Sequence, residues 1–277
     1  MTTKRFRIGE AEAGSPALFV IAGPCVIESA ELCLKVAAHM KSACAKRGVP
    51  YVFKASYRKA NRSSARSFAG LDMEQALAIL ARVKRETGVP VLTDVHEEHE
   101  VGPAAEVADV LQIPAFLSRQ TGLLTAAGKS GRAVNVKKGQ FLAPADMMQV
   151  VEKLELAGCD RILLTERGTS FGYHDLIVDM RGLVTMRTLG WPVMFDATHS
   201  LQRPGGQETA GDRRFALPLM RAAMACGVDG LFFETHPEPS IALSDRATQL
   251  PLAEAEAFLD EALRVHEVVA QKTHARG

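Results

Sequence analysis

Gly48-Val49-Pro50 runs into YVFKAS (51–56), Gly88-Val89-Pro90 into VLTDVH (91–96), and Gly190-Trp191-Pro192 into VMFDATH (193–199). In each case the glycine follows a helical pattern and can take the left-handed conformation that ends a helix. The proline then opens a short apolar run without blocking the hydrogen-bond ladder beyond it. Two more units use aspartate in place of proline: Gly158-Cys159-Asp160 before RILLTE (161–166) and Gly227-Val228-Asp229 before GLFFET (230–235). Three further runs of the same kind, LFVIAG (18–23), DVLQI (109–113) and AVNVK (133–137), bring the candidate strands to eight. These are continuous apolar runs, the pattern of parallel strands covered on both faces.

Helical patterns lie between most of these runs. Ser29 to Arg47 carries Leu32, Val36 and Met40 on one face, with Ser29 as the N-cap. Asp72-Met73-Glu74-Gln75 reads as a capping-box-like start to a helix through Thr87. Pro144-Ala145-Asp146 opens a helix through Leu156, and Leu217–Ala225 and Leu252–Val269 supply two more. Strand and helix in repeated alternation mean a closed barrel or a doubly wound sheet. Eight strands in 277 residues favour the (β/α)8 TIM barrel as one catalytic domain over 1–277. RFRIG (5–9) is expected to form a short N-terminal hairpin closing the barrel bottom, and the chain beyond about residue 270 to be a frayed end.

The composition, 47% hydrophobic and 23% charged, is that of a globular protein. A net charge of +1 gives no broad basic field for nucleic acid or an anionic membrane, so any anion site must come from local clustering. No apolar run approaches the ~20 residues of a membrane span. Lys4, Arg5 and Arg7 are not followed by the apolar segment of a signal peptide, which points to a cytoplasmic protein. Five scattered cysteines should then be free thiols.

Chemistry-capable residues follow the apolar runs, at the strand ends where a barrel builds its active site. Lys54, Lys59, Arg62, Arg119, Lys137 and Arg167 make six cations there, a match for two phosphorylated substrates of which one also carries a carboxylate. Asp94, His96, Gln112, Lys138, Glu166 and Asp196 also stand at strand ends, and Asn61 and Ser63 add short polar groups beside Arg62. Cys25 past the first strand, His199 past the seventh, Glu234 on the eighth and Asp245 in the loop after it form a candidate metal set. One thiolate, one imidazole and two carboxylates suit a divalent Zn, Fe(II), Mn or Co ion, and donor softness does not choose among them. The Gly-rich segment Arg203 to Asp212 has the position of a lid.

IAGPCVIES (21–29), FKASYRKANRSS (53–64), LTDVHE (92–97), LQIPAFLSRQTGLL (111–124), VNVKKGQFLAP (134–144), LTERGTSFGY (164–173), FDATHSLQ (195–202) and ETHPEPSIALSDRATQLPL (234–252) together resemble the 3-deoxy-D-manno-octulosonate 8-phosphate synthases over essentially the whole chain. KANRSS is the most specific of these segments, since the related 3-deoxy-D-arabino-heptulosonate 7-phosphate synthases carry a KPRTS-like segment there. The resemblance implies condensation of phosphoenolpyruvate, D-arabinose 5-phosphate and water to the eight-carbon sugar acid phosphate and phosphate, a transferase step toward lipopolysaccharide. It implies a homotetramer. It also implies the metal-dependent form, whose relatives without metal have Asn where this chain has Cys25.

Carried over by resemblance, Lys59, Lys137 and Arg167 would contact phosphoenolpyruvate, with Gln112 and Ala115 nearby. Asn61, Arg62 and Ser63 would contact the sugar phosphate, Arg119 would reach it across a subunit interface, and Asp94 and His96 would line the same mouth. His199 and Asp245, with Lys59 and Asp94, are the candidates for catalysis. Arg58, Ser118 and Gly122 depart from the family's usual Asp, Cys and Asp, beside the sugar and interface segments. The nearest alternative uses erythrose 4-phosphate. More distant ones are a metal-dependent aldolase of other phosphosugars and a binding protein on the same barrel.

Overall fold

A computed structural model describes residues 3–60, 68, 70–205 and 210–274, the last four of these as backbone only. Eight parallel strands form the barrel: β1 (Phe19–Gly23), β2 (Tyr51–Lys54), β3 (Val91–Asp94), β4 (Val110–Ile113), β5 (Ala133–Lys137), β6 (Ile162–Glu166), β7 (Val193–Asp196) and β8 (Gly230–His236). Each pairs with its sequence neighbour, and β8 pairs with β1 to close the ring. Every strand is buried along its whole length, as continuous apolar runs require. The glycines of the five repeat units, Gly48, Gly88, Gly158, Gly190 and Gly227, all stand at positive φ between 64° and 91°, ending the helix before the next strand.

Eight helices surround the ring: α1 (Ala30–Ala45), α2 (Met73–Thr87), α3 (Glu98–Val107), α4 (Thr121–Lys129), α5 (Met147–Leu156), α6 (Met180–Arg187), α7 (Ala216–Ala225) and α8 (Ala255–His274). Ser29 caps α1 by accepting from the Leu32 N–H. Asp72 caps α2 through the Glu74 N–H, a single bond and not the reciprocal box its sequence suggests. Helices α3, α4 and α6 leave no clear trace in the sequence. They are ten, nine and eight residues long, and Gly102-Pro103, Gly122 and Gly182 interrupt their patterns. The C-terminal helix continues to His274.

The N-terminal hairpin pairs Phe6–Ile8 with Ala11–Ala13. It lies under the barrel. The Lys4 N–H donates to the Gly190 carbonyl, and the Phe6 ring meets Trp191 edge-on at 6.3 Å. Trp191 is fully buried there, its indole N–H donating to Glu155. The bottom is thus sealed, and the polar strand ends gather at the opposite mouth.

Gly23 ends β1 where a side chain cannot fit: a Cβ there would overlap the carbonyl oxygen of Lys54 on β2. Gly23→Ala is expected to cost about 1–3 kcal/mol by chemical denaturation, as overpacking does. Gly102→Ala, in a helix with nothing near its Cβ, should be neutral or slightly stabilising.

Candidate active site

The loop carrying Cys25 and the loop carrying Asp245 are tied by one side chain. Gln249 accepts from the Cys25 N–H at 3.1 Å and donates to the Ser244 carbonyl at 2.7 Å. The short strand Leu250–Pro251 runs parallel to the end of β8, and Thr235 donates its hydroxyl to the Leu250 carbonyl. Asp245 stands at φ 47°, the one non-glycine residue with positive φ among the described residues. Aspartate tolerates this region better than most side chains.

These ties bring Cys25 Sγ to 2.9 Å from both Asp245 Oδ2 and Ser244 Oγ. Ligand atoms of Cys25, Glu234 and Asp245 all lie within 4.8 Å of one another. His199 faces the same point, with Nε2 3.5 Å from Glu234 Oε1 and 4.0 Å from Asp245 Oδ2. Its Nδ1 is 2.7 Å from Asp196 Oδ2. A carboxylate can only accept, so Nδ1 carries a proton and Nε2 is the ring nitrogen that faces the cluster, the orientation of a metal-binding histidine.

The four residues fit a divalent cation on two grounds. Glu234 Oε2 is buried and has no hydrogen-bond partner among the described residues, a costly state for a carboxylate oxygen. Burial, with Asp245 and Glu234 adding to it, pushes the Cys25 thiol well above its ordinary pKa. A bound cation would satisfy the first and draw out the thiolate of the second.

Four cations ring this cluster. Lys54, fully buried, donates to Glu234 Oε1 at 2.5 Å and to the Cys25 carbonyl at 2.9 Å. Lys59 donates to Ser56 Oγ at 2.9 Å and lies 3.8 Å from Glu234. Lys137 donates to Asp196 Oδ2 at 2.5 Å and sits 3.1 Å above the centre of the Phe232 ring. Arg167 donates to Gln202, which donates to Asp245, while its Nη1 is buried without a partner among the described residues. Burial opposes the charged form of Glu234, but Lys54, His199 and Lys59 outweigh it and hold the carboxyl well below its usual range. His199 and Lys137 do the same for Asp196 against its burial.

The other residues expected at the mouth divide. Asp94 accepts from Gln112 and Ser56, each at 2.7 Å, and Lys59 and Lys54 hold it below its ordinary pKa despite burial. His96 is kept below its ordinary pKa chiefly by burial, and its Nδ1 lies 3.3 Å from Tyr57 Oη. Ala115 opens a short 3-10 turn past β4, and Arg119 is exposed at the rim. Asn61, Arg62 and Ser63 lie outside the described residues, as does the tip of the Gly-rich segment, whose arms pair at Gln202–Arg203 and Ala210–Gly211. Lys138 turns away from the mouth to Thr169 Oγ1 at 2.9 Å and Glu166 at 3.6 Å, pinning two loops together.

Among the residues without a role in the sequence reading, Asp196 matters most. Its spacing three residues before His199 at a strand end is a signal that could have been used. Ser244, Gln202 and Gln249 carry no comparable signal, because their partners lie far away in the chain.

The DAHP synthetase I family model matches residues 5–271. A 2-dehydro-3-deoxyphosphooctonate aldolase of Trichlorobacter lovleyi is 53% identical over 96% of this chain and 99% of its own length. Aldolases of the same name from Cyanothece sp. and Azoarcus sp. are each 54% identical, over 91% and 92% of this chain and 93% of each relative. The chain therefore belongs to the DAHP synthetase I family, with close similarity to its 2-dehydro-3-deoxyphosphooctonate aldolases.

Proposed function

We propose that this protein condenses phosphoenolpyruvate with D-arabinose 5-phosphate and water, releasing 3-deoxy-D-manno-octulosonate 8-phosphate and phosphate. One observation carries the reading: Lys54, Lys59, Lys137 and Arg167 are buried or nearly so and surround a thiol–imidazole–dicarboxylate cluster. Cations are rarely buried without a task, and Arg167 Nη1 still has a proton to give. The KANRSS segment (59–64), the most specific of the segments that resemble the eight-carbon synthases, supports the pentose phosphate as the aldehyde.

On this reading C3 of the enolpyruvate attacks the aldehyde carbon, forming the new C–C bond. The aldehyde oxygen gains a proton, water adds at C2 and loses one, and the tetrahedral species expels phosphate as its C2 hydroxyl gives up the second. Lys59, Lys137 and Arg167, with Gln112 and Ala115, hold the phosphoenolpyruvate phosphate and carboxylate, so that the two carbons meet in near-attack geometry. Asn61, Arg62 and Ser63 hold the sugar phosphate, with Arg119 reaching it from a neighbouring subunit of a homotetramer. Cys25, His199, Glu234 and Asp245 would hold a divalent Zn, Fe(II), Mn or Co ion, which when bound would orient and polarise the aldehyde. Proton transfer is assigned to His199 and Asp245, which face each other at 4.0 Å, with Lys59 and Asp94 setting the charge around them. The enzyme works in the cytoplasm on this reading.

Phosphate release from phosphoenolpyruvate should depend on arabinose 5-phosphate, be at least tenfold slower with erythrose 4-phosphate, and stop with chelator until a divalent metal is restored (about 1.4 kcal/mol per tenfold). Equal rates with both sugars would reject the pentose assignment, and full activity of rigorously metal-free protein would reject the metal. Glu234→Gln keeps the side chain's size while removing its charge. By elemental analysis after dialysis it should retain metal about 10–100-fold less tightly; unchanged retention would remove Glu234 from the ligand set. Arg62→Ala should raise KM for arabinose 5-phosphate about tenfold or more while barely moving that for phosphoenolpyruvate, and the reverse pattern would move Arg62 to the other substrate.

A further inference from the structure

Beneath the mouth, five strand ends are joined by hydrogen bonds that all run toward one carboxylate. Thr165 Oγ1 on β6 donates to Asn135 Oδ1 on β5 at 2.6 Å. Asn135 Nδ2 donates to Gln112 Oε1 on β4 at 2.9 Å, and Gln112 Nε2 donates to Asp94 Oδ1 on β3 at 2.7 Å. From the other side Lys59 Nζ donates to Ser56 Oγ, which donates to Asp94 Oδ2 at 2.7 Å. Thr165, Asn135 and Ser56 have no exposed surface at all.

The direction of this chain is forced. An ionised Asp94 can only accept, so Gln112 must turn its NH2 toward it and its oxygen toward Asn135. That oxygen requires the Asn135 NH2, which leaves the Asn135 oxygen facing the hydroxyl of Thr165. Either amide inverted alone would place like against like in a buried site.

We infer that Asn135 and Thr165 are positioning residues for phosphoenolpyruvate: through the Asn135 amide they lock Gln112, so that its second N–H is presented to the substrate in one fixed orientation. The inference rests on the reaction proposed above, in which Gln112 lies at the phosphoenolpyruvate site. Asn135 and Thr165 sit one and two hydrogen bonds beyond Gln112, in the order Asp94, Gln112, Asn135, Thr165, and act through Gln112.

Thr165→Val keeps the shape and removes the donor. It should raise KM for phosphoenolpyruvate about tenfold, leave KM for arabinose 5-phosphate within about twofold, and be rescued by Thr165→Ser. A purely structural role would lower the unfolding midpoint without splitting the two KM values. Asn135→Asp reads the same link without depending on how the valine variant folds. Ionised, the new carboxyl has no donor for Gln112 Oε1; protonated, it has one. The variant's KM for phosphoenolpyruvate relative to the unmodified enzyme should therefore fall as pH falls. A Thr165→Val enzyme with unchanged KM values, a serine variant as impaired as valine, or a ratio for Asn135→Asp that stays flat with pH would each overturn the relay. An unmodified enzyme that releases no phosphate from phosphoenolpyruvate would overturn the reaction itself, a different result from any of these.

Discussion

The carboxylate of Glu234 is entirely buried, and the mouth of the barrel is organised around keeping it charged. An isolated carboxylate in such a place would take up a proton. Here Lys54 holds one oxygen at 2.5 Å, with Lys59 and His199 at 3.8 and 3.5 Å from the same atom. The second oxygen has no partner among the described residues. A buried ion pair seldom adds net stability, because desolvation offsets the attraction. The arrangement is therefore better understood as preorganisation: fixed charges, already stripped of water, stand ready where substrate charge must be stabilised.

Barrel register makes this pairing possible. Glu234 on β8 is in register with Gly23 on β1, and Ala22 with Phe53 places Gly23 beside Lys54 on β2. The acid and the lysine are thus carried on strands either side of a residue with no side chain. Strands two apart in a sheet are separated by about 9–10 Å, a gap that a Glu and a Lys side chain can span together. A larger residue at position 23 would collide with the Lys54 carbonyl and separate the two charged strands. A requirement of packing and one of charge therefore fall on the same glycine.

The sequence makes most of this fold legible, for a physical reason. A strand covered on both faces must be apolar throughout, and a helix ending in a left-handed residue favours glycine, so the repeat is written in local composition. Helices α3, α4 and α6 escape because tertiary packing, and not intrinsic propensity, holds short segments containing Gly102, Pro103, Gly122 and Gly182. At the site, strand-end chemistry identifies Cys25, His199, Glu234 and Lys137, since strand direction alone sends them to the mouth. Gln249 and Ser244 stay hidden. Their roles depend on how a loop folds back beside β8, and no local rule encodes that.

Arg58 and Gly122 show how the chain absorbs two departures from the pattern it otherwise follows. Both meet the acidic start of α3. Arg58 Nη2 lies 2.7 Å from Glu100 Oε1 and 3.2 Å from Glu97 Oε1. Glu100 Oε2 meanwhile accepts from the N–H groups of His96 and Glu97 at the opening of the helix. At Gly122 the space a Cβ would need is filled by the carboxylate of Glu98. An aspartate at either position would face these carboxylates as a like charge, which short separations penalise. A cation at 58 and no side chain at 122 relieve both contacts, so the two departures answer the same helix terminus. The carboxylate of Glu100 also lies 3.5 Å from His96 Nδ1. One route from Arg58 to the mouth therefore runs through Glu100 and His96, and it does not involve the Lys54–Glu234 pair.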